Sequence, residues 1–218
     1  MKRGKFGTVL TCALICLAVS GCRTTYYKAW EAFGRQKRDL LKSDVQDARD
    51  DQKKATEQFK DALTRLREMY GVGAGGGDLE KIYDRLKSDY ERCEARAGDV
   101  KGRIRKVEQV SSDLFREWQQ EIGTMTNEKL AGNSRQKLRE TQEKYDSLHS
   151  AMVKAEGSME PVLKQFHDQV LYLKHNLNAQ AVGSLKGESA DIEREIQRLI
   201  QDMNASITEA DAFIHEMK

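Results

Sequence analysis

Four cysteines and four histidines are the side chains of this sequence that could do nucleophilic or metal chemistry. No two of the histidines stand three or four residues apart, so the spacing of a helical metal site is missing. The sequence also lacks the Gly-x-Ser-x-Gly pattern of a nucleophile elbow. We therefore expect no catalytic residue, no metal and no bound cofactor. Only Cys22 has neighbours that predict a reaction at its thiol.

Cys22 ends the run Val19-Ser20-Gly21-Cys22, which follows an apolar stretch and a basic start with Lys2, Arg3 and Lys5. This order is typical of an export signal, and its apolar stretch is shorter than the ~20 residues of a membrane span. Small residues before the cysteine resemble a lipobox. We predict a signal peptide over 1–21 and acylation of Cys22 with a diacylglycerol and an N-acyl chain such as palmitate. The alternative is an ordinary secretory signal with a chance cysteine.

The predicted acylation places the protein in the cell envelope. Two or three acyl chains anchor a protein stably, since each buried methylene contributes about 0.8 kcal/mol. By resemblance to exported lipoproteins, Arg23 at the position after the cysteine favours the periplasmic face of the outer membrane over retention in the inner membrane. Loss of the three basic signal residues lowers the formal net charge of +2 to −1, which gives no electrostatic reason to expect nucleic-acid binding. Cys93 is left without a cysteine partner, and we expect it to be buried.

An aromatic stripe follows the anchor, formed by Tyr26, Tyr27, Trp30 and Phe33 among basic residues. On a helix Tyr26, Trp30 and Phe33 share one face. Beside a lipid anchor such a face suits the headgroup region, where Trp and Tyr are favoured. These four residues are our candidates for a membrane interface. Packing of the stripe on other helices is the alternative.

Long heptad patterns set the expected fold. From Leu41 to Met69 the apolar positions alternate in spacings of four and three over four repeats, and similar seams recur further along the chain. We predict an all-α domain over 22–218, an elongated antiparallel coiled-coil bundle of three to four long helices. The expected helices cover about 28–70, 78–127, 134–182 and 189–217.

Glycines and one proline mark the expected interruptions. The glycine-rich run 71–77 predicts a hairpin tip, and Leu130–Ser134 predicts a turn. The seam passes through Pro161 without a shift, which predicts a kink there or a short break with a restart. Between Gly183 and Glu188 two interpretations stay open: a turn, with Ser189 capping a last helix, or one continuous helix. The glycines favour the turn.

The dense apolar segment Asp168-Gln169-Val170-Leu171-Tyr172-Leu173-Lys174-His175-Asn176-Leu177-Asn178-Ala179 covers more than one helical face, which predicts burial by several helices. This segment is also the most specific part of a wider resemblance. The mature chain resembles an uncharacterised family of Gram-negative lipoproteins with a domain of unknown function. The other matching segments are Tyr26-Tyr27, Lys37-Arg38-Asp39, Asp47-Ala48-Arg49-Asp50, Gln58-Phe59-Lys60, Gly76-Gly77-Asp78-Leu79-Glu80 and Ser134-Arg135-Gln136-Lys137-Leu138. The resemblance implies a helical lipoprotein and no catalytic residues.

These observations predict a non-enzymatic envelope lipoprotein that acts as a coiled-coil scaffold or tether for a periplasmic or envelope protein. Heptad seams are also compatible with self-association, because a seam does not specify whether its partner helix belongs to the same chain. The alternative function is a bundle that handles lipid or another hydrophobic ligand in a groove lined by 170–177 and the aromatic stripe. A cell-wall hydrolase is the weakest interpretation, because heptad geometry supplies no cleft with an activated carboxylate.

Overall fold

The computed structural model describes residues 36–72, 79–176 and 178–217. It divides the chain into two compact units, residues 1–40 and residues 41–218. In the first unit the described part is the beginning of helix α1, where the backbone N–H of Gln36 donates to Asp39 Oδ2 at 3.3 Å. All contacts discussed below lie within the second unit.

The described residues form five helices, and no strand occurs among them. The helices are α1 (Lys37–Val72), α2 (Leu79–Thr124), α3 (Glu128–Gly157), α4 (Met159–His175) and α5 (Ala179–Glu216). The expected all-α fold is confirmed. None of these helices contains a stretch of the length and hydropathy that a membrane-spanning segment requires.

The seam predicted for α1 forms its buried face. Leu41, Val45, Ala55 and Phe59 have no accessible surface, and Leu66 is 2% exposed. The polar residue of that seam, Gln52, is also fully buried. Because burial follows the alternation of three and four along the helix, the apolar seam is what holds α1 against its neighbours.

The turn predicted at Leu130–Ser134 is wrong, because helix α3 already begins at Glu128. Asn127 caps α3, with its Oδ1 accepting from the backbone N–H groups of Lys129 and Leu130 at 3.1 Å each. Gly132 lies on the exposed side of the helix, and the neighbouring Ala131 is 1% exposed. The cap and this burial offset the helical cost of a single glycine, about 1 kcal/mol.

The turn favoured at Gly183–Glu188 is also wrong, because α5 runs without interruption from Ala179 to Glu216. Its N-cap is Asn178, whereas the hydroxyl of Ser189 donates to the carbonyl of Lys186 inside the helix. Burial of Ala181, Val182 and Leu185 on one face stabilises the segment. A buried Val or Leu contributes about 1.5–3 kcal/mol, which exceeds the cost of two exposed glycines.

The expected third helix is divided at Ser158 into α3 and α4, a short break with a restart. Pro161 occupies the third position of α4, within the first turn, where a backbone N–H has no partner inside the helix. The restart therefore costs no hydrogen bond at the proline. Helix α4 ends at His175 and not near residue 182, and Asn176 is its C-cap.

Candidate functional site

The site residues predicted from the sequence precede the described part of the chain. Cys22, the expected lipidation site, and the interface candidates Tyr26, Tyr27, Trp30 and Phe33 all lie outside the described residues. The structure therefore leaves both assignments as predictions. The described residues offer buried polar contacts, two surface grooves and exposed apolar side chains.

Two histidines contact other side chains in pairs between helices. His149 on α3 places Nε2 2.7 Å from Glu108 Oε1 on α2 and stacks on Tyr145. His167 on α4 lies with its ring centroid 5.5 Å from that of Tyr90 on α2. Within 36–72, 79–176 and 178–217 no group of three His, Cys, Asp or Glu residues is placed to hold a metal ion. Both histidines thus contribute to helix packing.

Buried carboxylates lie beside basic side chains. Asp89, 3% exposed, accepts from Arg65 across the α1–α2 contact, with Nε to Oδ2 at 2.7 Å and Nη2 to Oδ1 at 2.6 Å. Asp44, 2% exposed, lies 2.8 Å from Lys106 Nζ between the same helices. Because a buried carboxylate is stable only when it is paired and hydrogen-bonded, these contacts account for Asp89 as a structural ion pair. Asp44 is paired through Oδ1, whereas its Oδ2 is buried without a hydrogen-bond partner.

A third buried carboxylate, Asp202 on α5, lies at the α3–α4 break. Its Oδ2 is 2.6 Å from the Ser158 hydroxyl, and its Oδ1 is 2.8 Å from Lys154 Nζ. Burial alone would raise the pKa of Asp202, but the hydrogen bonds from Lys154 and Ser158 outweigh it and hold the pKa below its ordinary value. Asp202 therefore joins the last turn of α3 and the first residue before α4 to α5.

A polar layer interrupts the apolar contact between α1 and α5. The Ser206 hydroxyl donates to Gln52 Oε1 at 3.0 Å, and both residues are fully buried. The Thr56 hydroxyl, beside them, lies 2.8 Å from the carbonyl of Gln52. Gln52 Nε2 is buried with no hydrogen-bond partner. A buried amide without a partner costs about 1–3 kcal/mol, so this layer reduces stability while it aligns α1 with α5.

Cys93 is fully buried on α2, as the sequence predicts, and faces the Gln58 carbonyl on α1 at 3.9 Å. Burial raises the pKa of its thiol to about 12, so the reactive thiolate is almost absent at neutral pH. The residue packs as a small apolar group.

Two surface grooves lie along α2. One, of about 460 Å³, runs between the end of α2 and the beginning of α3 and is lined in part by Met125, Arg135 and Arg139. The other, of about 540 Å³, lies between α2 and the α3–α4 break and is lined by charged side chains and by Gly98 and Met159. The periodicity of the sequence gave no indication of either groove.

The expectation that the 168–179 segment is buried by several helices is wrong for one face. Val170 and Leu173 are buried, but Leu171 is 42% exposed and Tyr172 is 40% exposed. At the inner face, the Tyr70 hydroxyl on α1 donates to Gln169 Oε1 at 2.8 Å. The segment therefore anchors α4 with one face and presents two apolar side chains to solvent with the other.

Comparisons with known proteins bear on family and not on activity. Searches of curated proteins and of solved structures gave no match. A family described as a protein of unknown function, DUF2959, matches residues 26–217. The match covers all five described helices, the exposed Leu171–Tyr172 pair and the hairpin between α2 and α3. The chain belongs to the DUF2959 family of proteins of unknown function.

Proposed function

We propose that this chain is a lipoprotein of the cell envelope, anchored through Cys22 at the periplasmic face of the outer membrane, and that it acts as a non-enzymatic scaffold or tether. The observation that carries the tethering role is the exposed Leu171–Tyr172 pair on α4. Both side chains are about 40% exposed, and among the exposed large apolar residues of the described part of the chain they are the only two that are adjacent in sequence. Neighbouring exposed apolar side chains favour a protein contact.

The bundle that presents this pair is, in our proposal, an elongated antiparallel coiled coil. Two ion pairs between α1 and α2, Asp51–Arg103 and Arg65–Asp89, support this arrangement. From the first pair to the second the residue number rises by 14 on α1 and falls by 14 on α2, which is two heptads in opposite directions. All four residues directly precede a seam position, where coiled coils place interhelical ion pairs.

The ion pairs between α1 and α5 support the same antiparallel arrangement. From Arg49–Asp211 to Arg67–Glu193 the residue number rises by 18 on α1 and falls by 18 on α5. Tyr70, near the end of α1, bonds Gln169 two residues before Leu171. Leu41 and Tyr70 are 29 residues apart, roughly 44 Å along a helix. The Leu171–Tyr172 pair thus lies far from the end at which the anchored chain enters the second unit.

In-cell photo-crosslinking with the full chain tests the proposal. A photo-reactive residue at Tyr172 is expected to capture one envelope protein, and the same residue at the exposed Arg105 on α2 is the matched control. Tyr172→Ser should remove the adduct formed from a crosslinker at Leu171. Identical products at Tyr172 and Arg105, or none at either, would contradict the tethering role.

The lipid-handling alternative has less support. It required a groove lined by residues 170–177, but Val170 and Leu173 pack in the interior at 7% and 1% exposure. A ligand at that place would have to displace core side chains. Crosslinking of lipid from Trp30, with no protein captured at Tyr172, would favour this alternative over the tether.

A further inference from the structure

The hairpin formed by the end of α2 and the beginning of α3 extends past its neighbours in the second unit. Asp44 on α1 pairs with Lys106, and α2 continues for 18 residues beyond Lys106 to Thr124, about 27 Å. Lys144 on α3 pairs with Glu216 at the end of α5, and α3 reaches back 16 residues from there to Glu128, about 24 Å. Among the described residues of the second unit, this hairpin tip is therefore only two helices thick.

A small apolar cluster holds the hairpin together. Ile122 and Ala131 are buried against Leu138, with Phe115 and Trp118 packed on them. The Trp118 indole N–H donates to Ser134 Oγ at 2.8 Å and links the two helices. The hairpin thus has an apolar interior of its own.

The apex of the hairpin exposes apolar side chains. Met125, the first of the three residues that connect the helices, is 39% exposed, and Leu130, in the first turn of α3, is 58% exposed. Leu130 is the most exposed large apolar residue of the part of the chain that the structure describes. Exposure of this kind at the end of a projecting element suits insertion into an apolar phase.

Two arginines lie in the groove next to Met125. Arg135 and Arg139 are one helical turn apart on α3 and line the groove of about 460 Å³ together with the amide side chains of Gln119 and Gln142. Arg135 is 3.6 Å from Glu128, whose side chain is 87% exposed, so water screens that pair. Planar guanidinium groups bind phosphate oxygens well, and apolar side chains beside them suit acyl chains.

The position of the hairpin along the bundle agrees with this chemistry. The chain enters the second unit at Leu41, close to Asp44 and therefore at the end from which the hairpin projects. Cys22 and Asp44 are 22 residues apart, which corresponds to about 33 Å for a helix and at most about 75 Å for extended chain. The apex of the hairpin lies about 27 Å beyond Asp44, a distance that the 22 residues between Cys22 and Asp44 can span. A membrane that holds Cys22 is therefore within reach of the apex.

We propose that the α2–α3 hairpin tip docks on the membrane that carries the anchor, with Arg135 and Arg139 binding the phosphate of an anionic phospholipid headgroup and with Met125 and Leu130 entering the interface. This proposal rests on the lipid anchor of the proposed function. Anionic lipid strengthens the docking because each arginine near such a surface favours binding, and salt weakens it.

The test uses the full mature lipoprotein carrying Leu130→Cys with a nitroxide label, mixed with vesicles of phosphatidylglycerol and phosphatidylcholine or of phosphatidylcholine alone. Power saturation with oxygen and with a water-soluble nickel complex reports whether the label lies in lipid or in water. We expect a lipid environment with phosphatidylglycerol, and loss of that environment for Arg135→Gln/Arg139→Gln. The expected loss in docked population is roughly 30-fold, from about fivefold per arginine.

The matched control neutralises two exposed arginines elsewhere on α2, Arg85→Gln/Arg105→Gln, and should leave the label in lipid. Vesicle flotation of the same samples reports the anchor separately. A label that stays in water with phosphatidylglycerol vesicles overturns the docking, whether or not the protein floats. Protein that floats, with the label in lipid, only when the vesicles contain phosphatidylglycerol, and that does not float with phosphatidylcholine alone, would contradict the anchor and retain the docking site.

Discussion

Replacing the polar layer between α1 and α5 by apolar residues should stabilise the bundle. The change is the double variant Gln52→Leu/Ser206→Ala, which removes the buried amide, its unpaired Nε2 and the 3.0 Å hydrogen bond from Ser206. Leucine is close to glutamine in volume, and both positions are fully buried, so the replacement leaves the packing almost unchanged.

The magnitude follows from two opposing contributions. An unpaired buried amide N–H group costs about 1–3 kcal/mol, whereas the lost hydrogen bond contributes about 0.5–1.5 kcal/mol. The middle of the first range exceeds that of the second by about 1 kcal/mol, so the double variant should raise the free energy of unfolding by about 1 kcal/mol. In a domain of this size that corresponds to an increase in Tm of roughly 2–4 °C. Ser206→Ala alone should destabilise the protein, because it leaves the buried Gln52 Oε1 without a donor as well.

The assay is urea unfolding followed by circular dichroism, with wild type, both single variants and the double variant arranged as a thermodynamic cycle. Gln197→Leu, at an exposed glutamine of α5, is the control and should change the free energy of unfolding by less than about 0.5 kcal/mol. A double variant less stable than wild type would refute the premise that Nε2 has no partner.

Three further predictions concern other parts of the bundle. Gly183→Ala and Gly187→Ala should each raise the free energy of unfolding, measured by urea titration, by about 0.5–1 kcal/mol. Both sites are helical, and a Cβ added at either one meets open space. Destabilisation by either variant would contradict the continuous α5. The lowered pKa of Asp202 stabilises the fold above the ordinary aspartate pKa of about 3.8, and this contribution is lost as the pH falls through the lower folded value. Asp202→Asn should therefore be less stable than wild type at pH 7, and urea titrations near pH 2 should show the difference reduced; a constant difference would exclude the ion pair as its cause. Cys93 should resist aromatic disulfide reagents at pH 8 until denaturant is added, and rapid reaction of the native protein would show that the thiol is accessible.

The apolar seams could be predicted from the sequence because burial follows helical periodicity directly. Leu41, Val45 and Phe59 are fully buried at the positions that the alternation of three and four assigns to the interior. The break near Pro161 was also predictable, since proline has a strong local effect. Patterns that act within one helix were thus sufficient for the fold class.

The errors arose where contacts between helices outweigh local preference. Gly183 and Gly187 indicate a turn when they are considered alone, but burial of Val182 and Leu185 keeps the segment helical. Likewise, the apolar Leu171 predicted burial, but no helix among the described residues covers that face, and Leu171 is 42% exposed. Which residues lie across from a given position depends on the arrangement of the helices, and a single heptad pattern does not specify it.

The same limit applies to the buried ion pairs. Asp89 and Arg65 each precede a seam residue, so the sequence marks them as flanking positions. Their partnership depends on how α1 and α2 are aligned, which neither heptad pattern specifies. The grooves along α2 were unpredictable for a related reason, since they depend on where neighbouring helices end or break.

The break at Ser158 gives the bundle a point of mechanical compliance. In a continuous helix, backbone hydrogen bonds transmit tension from one turn to the next, and this path is interrupted between Gly157 and Met159. At this level Asp202 links the end of α3 to α5 through Lys154 and Ser158, and these contacts are polar and sensitive to acid. A tether of this design would bend or lengthen at one defined level, while the helices above and below it keep their packing.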